Sequence, residues 1–148
     1  MNTDKNGLKH GELTRKIVGI FYEVYNELGY GFLESVYESA MEIAFRHAGL
    51  RVQRQTLVTV YYRGEAAGVF KSDMLVEDLV LIELKSARAL EPGNEAQTLN
   101  YLKATKIEVA LLFNFGPKPE FKRFLFDNDR KAHRGLPDGP LDLDNGKF

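Results

Sequence analysis

Asp73 and the run Glu83-Leu84-Lys85 are the residues of this chain whose types and spacing could do chemistry. Side chains alternate between the two faces of a strand, so Glu83 and Lys85 point one way and Leu84 the other. Asp73 stands ten residues upstream of Glu83 on another apolar segment, across a turn. Two carboxylates and an amine within reach of one point suit oxygen-ligand metal binding and metal-dependent phosphodiester chemistry. A plain structural sheet has little use for them. Alone, an acid followed by Glu-x-Lys is a weak motif, and an ion pair on a solvated face explains it equally well.

The apolar pattern tests whether the two acids meet. Phe70, Ser72, Met74 and Val76 share one face of the upstream segment, opposite Val69, Lys71, Asp73 and Leu75. Val80, Ile82 and Leu84 share one face of the downstream segment, opposite Leu81, Glu83 and Lys85. A three-residue loop at Glu77-Asp78-Leu79 pairs Val76 with Val80, Leu75 with Leu81, Met74 with Ile82 and Asp73 with Glu83. A two-residue loop would set Asp73 against Ile82 and mix the faces. The register that matches every pair in character is also the one that sets the carboxylates side by side. Two such charges ~5 Å apart repel by about 3 kcal/mol at an effective dielectric near 20. Lys85 offsets part of that, and a divalent cation would offset more.

The elements that must position these residues follow from periodicity and breakers. Ile17, Ile20, Phe21, Val24 and Leu28 predict a helix from Glu12 to Leu28, ended by Gly29-Tyr30-Gly31. Leu33, Val36, Tyr37, Ala40 and Ala44 predict the buried face of a second helix, from Leu33 to Ala48, with Gly49 as its stop. Strands are predicted at Val52 to Tyr62, Ala67 to Val76 and Val80 to Lys85, with turns at Arg63-Gly64-Glu65 and Glu77-Asp78-Leu79. Pro92-Gly93-Asn94 opens a third helix through Thr105. Ile107 to Phe115 reads as a strand buried on both faces, and Phe121 to Phe126 as a last strand. The order ααβββαββ predicts an α/β (α+β) fold, a mixed sheet flanked by helices. Residues 1–127 are expected to form one domain. Residues 128–148, rich in Gly, Pro and Asp, are expected to be a tail held by the body or by a neighbouring chain.

Two further stretches accompany the acids. Gly31-Phe32-Leu33-Glu34-Ser35-Val36-Tyr37 places Glu34 at a helix start, where an acid also complements the helix dipole. Ser35 to Glu38 resembles a capping box, and Glu38, Glu42 and Arg46 read as surface pairs. On the third helix, Gln97 and Tyr101 lie one turn apart, which a polar flank beside a part-buried tyrosine would also explain. In order, the Gly-x-x-Glu-x-x-Tyr stretch, Ser72-Asp73, Ile82-Glu83-Leu84-Lys85 and Glu95-Ala96-Gln97 through Lys103 closely resemble the GxxExxY protein family. That family is a branch of the PD-(D/E)XK nuclease superfamily, and the resemblance runs from about Leu13 to Phe126.

The resemblance implies a restriction-endonuclease-like core with its site at the split edge of the sheet. It implies Asp73 and Glu83 as metal ligands, with the Leu84 carbonyl as another. It makes Glu34 an auxiliary acid near the metal and Gln97 a residue lining the site. Lys85 would orient or deprotonate the attacking water, or steady the scissile phosphate. The implied cofactor is Mg²⁺ or Mn²⁺, and the implied partner is nucleic acid, DNA or RNA. Tyr37 and Tyr101 are expected to pack or touch substrate. Ser72 stands where the superfamily has proline, Tyr25 where relatives commonly have histidine, and Tyr30 where proline is usual.

Composition bounds the alternatives. The chain has 148 residues, 44% hydrophobic and 28% charged, as in soluble globular domains. It has no cysteine, which removes disulfides, thiolate zinc sites, iron–sulfur clusters and a thiol nucleophile. No apolar run reaches a membrane span, and no signal-peptide pattern opens the chain, which fits a cytoplasmic protein. His10, His47 and His133 have no metal-ligand spacing, and no P-loop, dinucleotide or Gly-x-Ser-x-Gly motif is present. Net charge is −1, without the basic excess of a strong non-specific nucleic-acid binder. Any basic surface must be local, with Arg51, Arg54, Arg63, Lys71, Lys85, Arg88, Lys103 and Lys106 as candidates. An oligomer or a partner protein could supply the rest. The rival to a nuclease is a nucleic-acid- or protein-binding module that keeps the fold without turnover.

Overall fold

Helix α1 (Gly11–Leu28) buries Ile17, Ile20, Phe21 and Val24, one stripe of a 3.6-residue period. Its end is set by glycine. Gly29 and Gly31 take φ of 68° and 109°, a region that side-chain-bearing residues rarely adopt. Helix α2 (Glu34–His47) then packs on α1. In this computed structural model, residues 9–131 and 143–144 are described.

Three strands follow, β1 (Val52–Tyr62), β2 (Glu65–Val76) and β3 (Val80–Lys85). Helix α3 (Pro92–Lys103) leads to β4 (Val109–Phe115) and β5 (Pro119–Leu125). The 3₁₀ turn Asn128–Lys131 and the two-residue strand β6 (Leu143–Asp144) complete the described chain. The sheet order is β5-β4-β3-β2-β1-β6. Only β3–β4 is parallel, joined by α3 as crossover, and the other pairs are antiparallel. This is the mixed, helix-flanked sheet in the order ααβββαββ expected from the sequence, consistent with a restriction-endonuclease-like fold.

The two faces of the sheet carry two cores. Met74, Val76, Ile82, Leu84, Phe113 and Phe115 pack against α1 and α2. Leu75, Leu81 and Ala110 pack against Tyr101 and Leu102 of α3. Every residue of β4 is buried, as a nearly continuous apolar run interrupted only at Asn114 requires. The β2–β3 ladder pairs Val76 with Val80, Leu75 with Leu81 and Met74 with Ile82, the register set by the three-residue loop. Glu77 and Asp78 turn the chain with φ of 54° and 57°, and Leu79 N–H donates to Val76 O at 3.0 Å.

Three expectations need correction. The inner face of α2 is Tyr37, Glu38, Met41 and Phe45, whereas Leu33 and Val36 are exposed and Ala40 and Ala44 only flank the core. No side-chain cap opens α2; the capping box lies at α3, where Glu91 and Asn94 bond reciprocally. Phe70 does not share a face with Met74. It stacks on Tyr101 of α3, with centroids 3.8 Å apart and planes 11° apart, while Met74 packs toward α1 and α2. The alternation changes phase between them, beside Gln55, which takes φ 53° opposite Asp73.

Of the residues expected to form a tail, Asn128–Lys131 packs on the body. Lys131 is buried and donates to Thr105 O at 2.9 Å and Ile107 O at 2.7 Å. Leu143–Asp144 pairs with Val58 and Leu57 of β1. The rest of that stretch, His133 included, lies outside the described residues.

Candidate active site

The sheet opens at Asp73. On one side its neighbour in register is Gln55 and on the other Glu83, yet neither pair joins the backbone ladder. Carboxylates take the place of the missing carbonyls. Asp73 N–H donates to Glu83 Oε1 at 3.2 Å, and Leu84 N–H donates to Asp73 Oδ2 at 2.7 Å. Strand amides normally pair with strand carbonyls, so two acids have replaced main-chain acceptors where β2 parts from β3.

The environment works against charge on both acids. Glu83 is 5% exposed. Burial, then the neighbouring Asp73 charge, raises its carboxyl well above the ordinary glutamate value, while the Asp73 N–H and Lys85 pull it back. Burial also raises Asp73, with Glu38 and Glu34 adding to the rise; the Leu84 N–H and Lys85 oppose it. Lys85 thus lies within electrostatic reach of both acids. A carboxylate pair with raised proton affinity is a site short of positive charge.

Glu34 enters from the start of α2. Its Oε2 accepts the Ser86 N–H at 3.2 Å, and Ser86 Oγ donates to Phe32 O at 2.8 Å. Tyr37, three residues on, is fully buried and stacks on Phe115 at 4.0 Å. Its hydroxyl donates to Gly29 O at 2.6 Å and accepts the Phe32 N–H at 3.3 Å. Gly31, Glu34 and Tyr37 therefore form one device: glycine turns the chain, tyrosine holds the turn, and the acid docks on the end of β3.

Gln97 is exposed on α3 and reaches the site indirectly. Its side chain acts on the Tyr101 hydroxyl, which also feels both acids. Burial, followed by Glu83 and Asp73, pushes Tyr101 up to about 12, with Gln97 opposing.

Glu38 is the site neighbour that the sequence concealed. It is 8% exposed, and its Oε1 accepts Arg54 Nε at 3.1 Å and Gln55 Nε2 at 2.9 Å. Arg54 also reaches Glu42 at 3.2 Å. Glu38 and Glu42 thus bind β1 across to α2 and are not intrahelical surface pairs, and Arg54 is an engaged cation. The available signal was the spacing Glu38-x-x-x-Glu42 with Arg54-Gln55 on the next element, which gains meaning only once β1 lies along α2.

Asp73 Oδ1 and Glu83 Oε2 are not used by the two amide bonds, and hard oxygen donors beside a main-chain carbonyl suit a divalent cation that keeps several waters. The donor chemistry fits. Among the described residues no group of three His, Cys, Asp or Glu side chains is arranged to hold a metal. Glu34 is engaged on Ser86 instead.

Among the described residues no helix is long and apolar enough to cross a membrane. The family model of the PD-(D/E)XK nuclease superfamily matches residues 11–124. The crystal structure of SSO0001 superposes with a TM-score of 0.44 at 14% identity, covering 65% of this chain and 51% of that one. The chain thus spans about half the length of that structure. No curated protein matches.

Proposed function

We propose that this chain, which belongs to the PD-(D/E)XK nuclease superfamily, hydrolyses phosphodiester bonds of nucleic acid. We further assign it to the GxxExxY branch, on Gly31, Glu34 and Tyr37. The observation that carries the activity is the pair of carboxylates standing in for ladder carbonyls at the opening of the sheet, with Lys85 within electrostatic reach of both.

In this reading Asp73, Glu83 and the Leu84 carbonyl hold Mg²⁺ or Mn²⁺, with Glu34 as an auxiliary acid at the rim. The ion supplies charge neutralisation at the phosphoryl group and acidifies water. Lys85 steadies a non-bridging phosphoryl oxygen and orients the attacking water. The water oxygen adds to phosphorus as the bond to the leaving sugar oxygen breaks, and the proton the water loses is taken up by that departing oxygen, leaving a phosphomonoester and a sugar hydroxyl. Gln97, with the Tyr101 hydroxyl, lines the approach to the acids. Glu38 holds Arg54 and Gln55, keeping β1 and α2 together behind Asp73.

A screen in Mg²⁺ and Mn²⁺ over single-stranded, duplex and structured substrates tests this, with Asp73→Ala and Lys85→Ala as controls. Cleavage by the parent that falls at least about a hundred-fold in both variants supports it. Activity that survives both changes is contamination and refutes the assignment. A second reading, a nucleic-acid- or protein-binding module on the same fold, draws on the absence of a third converging acid among the described residues and on the net charge of −1. Binding without cleavage on every substrate would favour it.

A further inference from the structure

A cleft of about 680 Å³ opens between the β1–β2 ribbon and α3. That volume is within the range of small-molecule sites. It shares Gln97 and Tyr101 with the acid site, so cleft and acids meet across one tyrosine. Val60 and Ala96 give it exposed apolar walls, and the Phe70–Tyr101 stack gives it an aromatic lining. Asn100, exposed on α3, joins the lining, and its amide has no hydrogen-bond partner among the described residues. Among the described residues Lys103 is the charged member of its lining, and no carboxylate joins it.

Flat apolar and aromatic surface, an amide and a cation with no opposing acid among the described residues match a nucleobase carried on a phosphate chain. Bases bind through their π-faces and through amide contacts to their edges, and their phosphates favour a lysine. A lipid tail would use the apolar wall but leave the amide unpaired. A base still stacked in a duplex cannot enter such a cleft, because it must first leave its neighbours.

We propose that the cleft between the β1–β2 ribbon and α3 binds one unstacked nucleobase of the strand whose phosphate lies at Asp73 and Glu83. This rests on the nuclease reading and sets its substrate class: single-stranded, flapped or base-extruded nucleic acid, and not intact duplex. Asn100 reads the base edge, and Lys103 holds the adjoining phosphate.

Two measurements on the full chain test it. The first titrates isotope-labelled protein with deoxynucleoside monophosphates and follows the side-chain amide signals of Asn100. They are expected to shift in the parent and to stay still in Ala96→Phe, which fills the cleft from an exposed helix position. The second compares single-stranded and duplex oligonucleotides of one sequence. Ala96→Phe and Asn100→Ala are each expected to weaken single-strand binding about ten-fold, the lower range for one stacked base, and to leave duplex binding unchanged. Unmoved Asn100 signals, or parental single-strand affinity in both variants, overturn the cleft proposal even if the protein cuts nucleic acid. Shifted Asn100 signals without cleavage of any substrate sustain the cleft and remove the catalytic reading.

Discussion

Asp73→Asn should make the cation-free protein more stable and remove its response to Mg²⁺ and Mn²⁺. Two unit charges ~5 Å apart at an effective dielectric near 20 repel by about 3 kcal/mol. Lys85 offsets part of this, and partial protonation of Glu83 relieves more. Asparagine Oδ1 can still accept the Leu84 N–H now bound at 2.7 Å, though the loss of charge weakens that bond by about 1 kcal/mol. The expected net gain is about 1–2 kcal/mol, or roughly 3–6 °C in Tm for a domain of this size. The pH dependence has a fixed sign. Glu83 has a folded-state pKa above its ordinary value near 4.5, so the folded chain holds more protons once pH exceeds that value. Stability then falls as pH rises through the window from 4.5 to the raised value. The advantage of Asp73→Asn should therefore shrink as pH falls toward 4.5 and be largest at neutral pH and above. Thermal melts across pH, each with chelator and with excess Mg²⁺ or Mn²⁺, measure both effects. An equal cation response in parent and variant, or a variant less stable than the parent at neutral pH in chelator, refutes the reasoning.

Three further outcomes can be checked by melts or denaturant titration. Glu38→Ala leaves Arg54 and Gln55 without their shared acceptor and should destabilise by about 1–3 kcal/mol, beyond what a surface pair would lose. Gly116→Ala would place a methyl 2.5 Å from Ala87 O and 2.8 Å from Asn114 Nδ2, so it should cost about 1–3 kcal/mol and disturb the segment after Lys85. Burial pushes Lys131 down to about 8, so its charged form is disfavoured in the folded state. The parent should gain stability as pH rises from about 8 toward the ordinary lysine value of 10.5, and Lys131→Met should lack that gain.

The framework of the site was readable because it rests on matched pairs. Val76 with Val80 and Leu75 with Leu81 leave one register in which both faces agree, and that register carries Asp73 to Glu83. Element order was readable for a similar reason: Gly29, Gly49 and Pro92 are breakers with one physical meaning each. Glu38 was hidden because an acid one turn from another acid looks solvated until β1 lays Arg54 across both. The true inner face of α2 was hidden by alanines, whose small side chains satisfy an apolar stripe without filling a core. The phase change between Phe70 and Met74 carried no signal at all. It occurs beside Gln55, a residue type with no special claim on a positive φ.

Asp73 and Leu84 hold their amide protons on carboxylates, and this gives the sheet an unusual clock. Elsewhere in the ladder an amide proton leaves at a rate set by how often the strands part. At these two positions it also depends on whether an acid is charged, protonated or drawn toward a ligand. Two amides inside the sheet therefore exchange at a pace set by the chemistry beside them, and a timed deuterium experiment can follow the site without any substrate being cut.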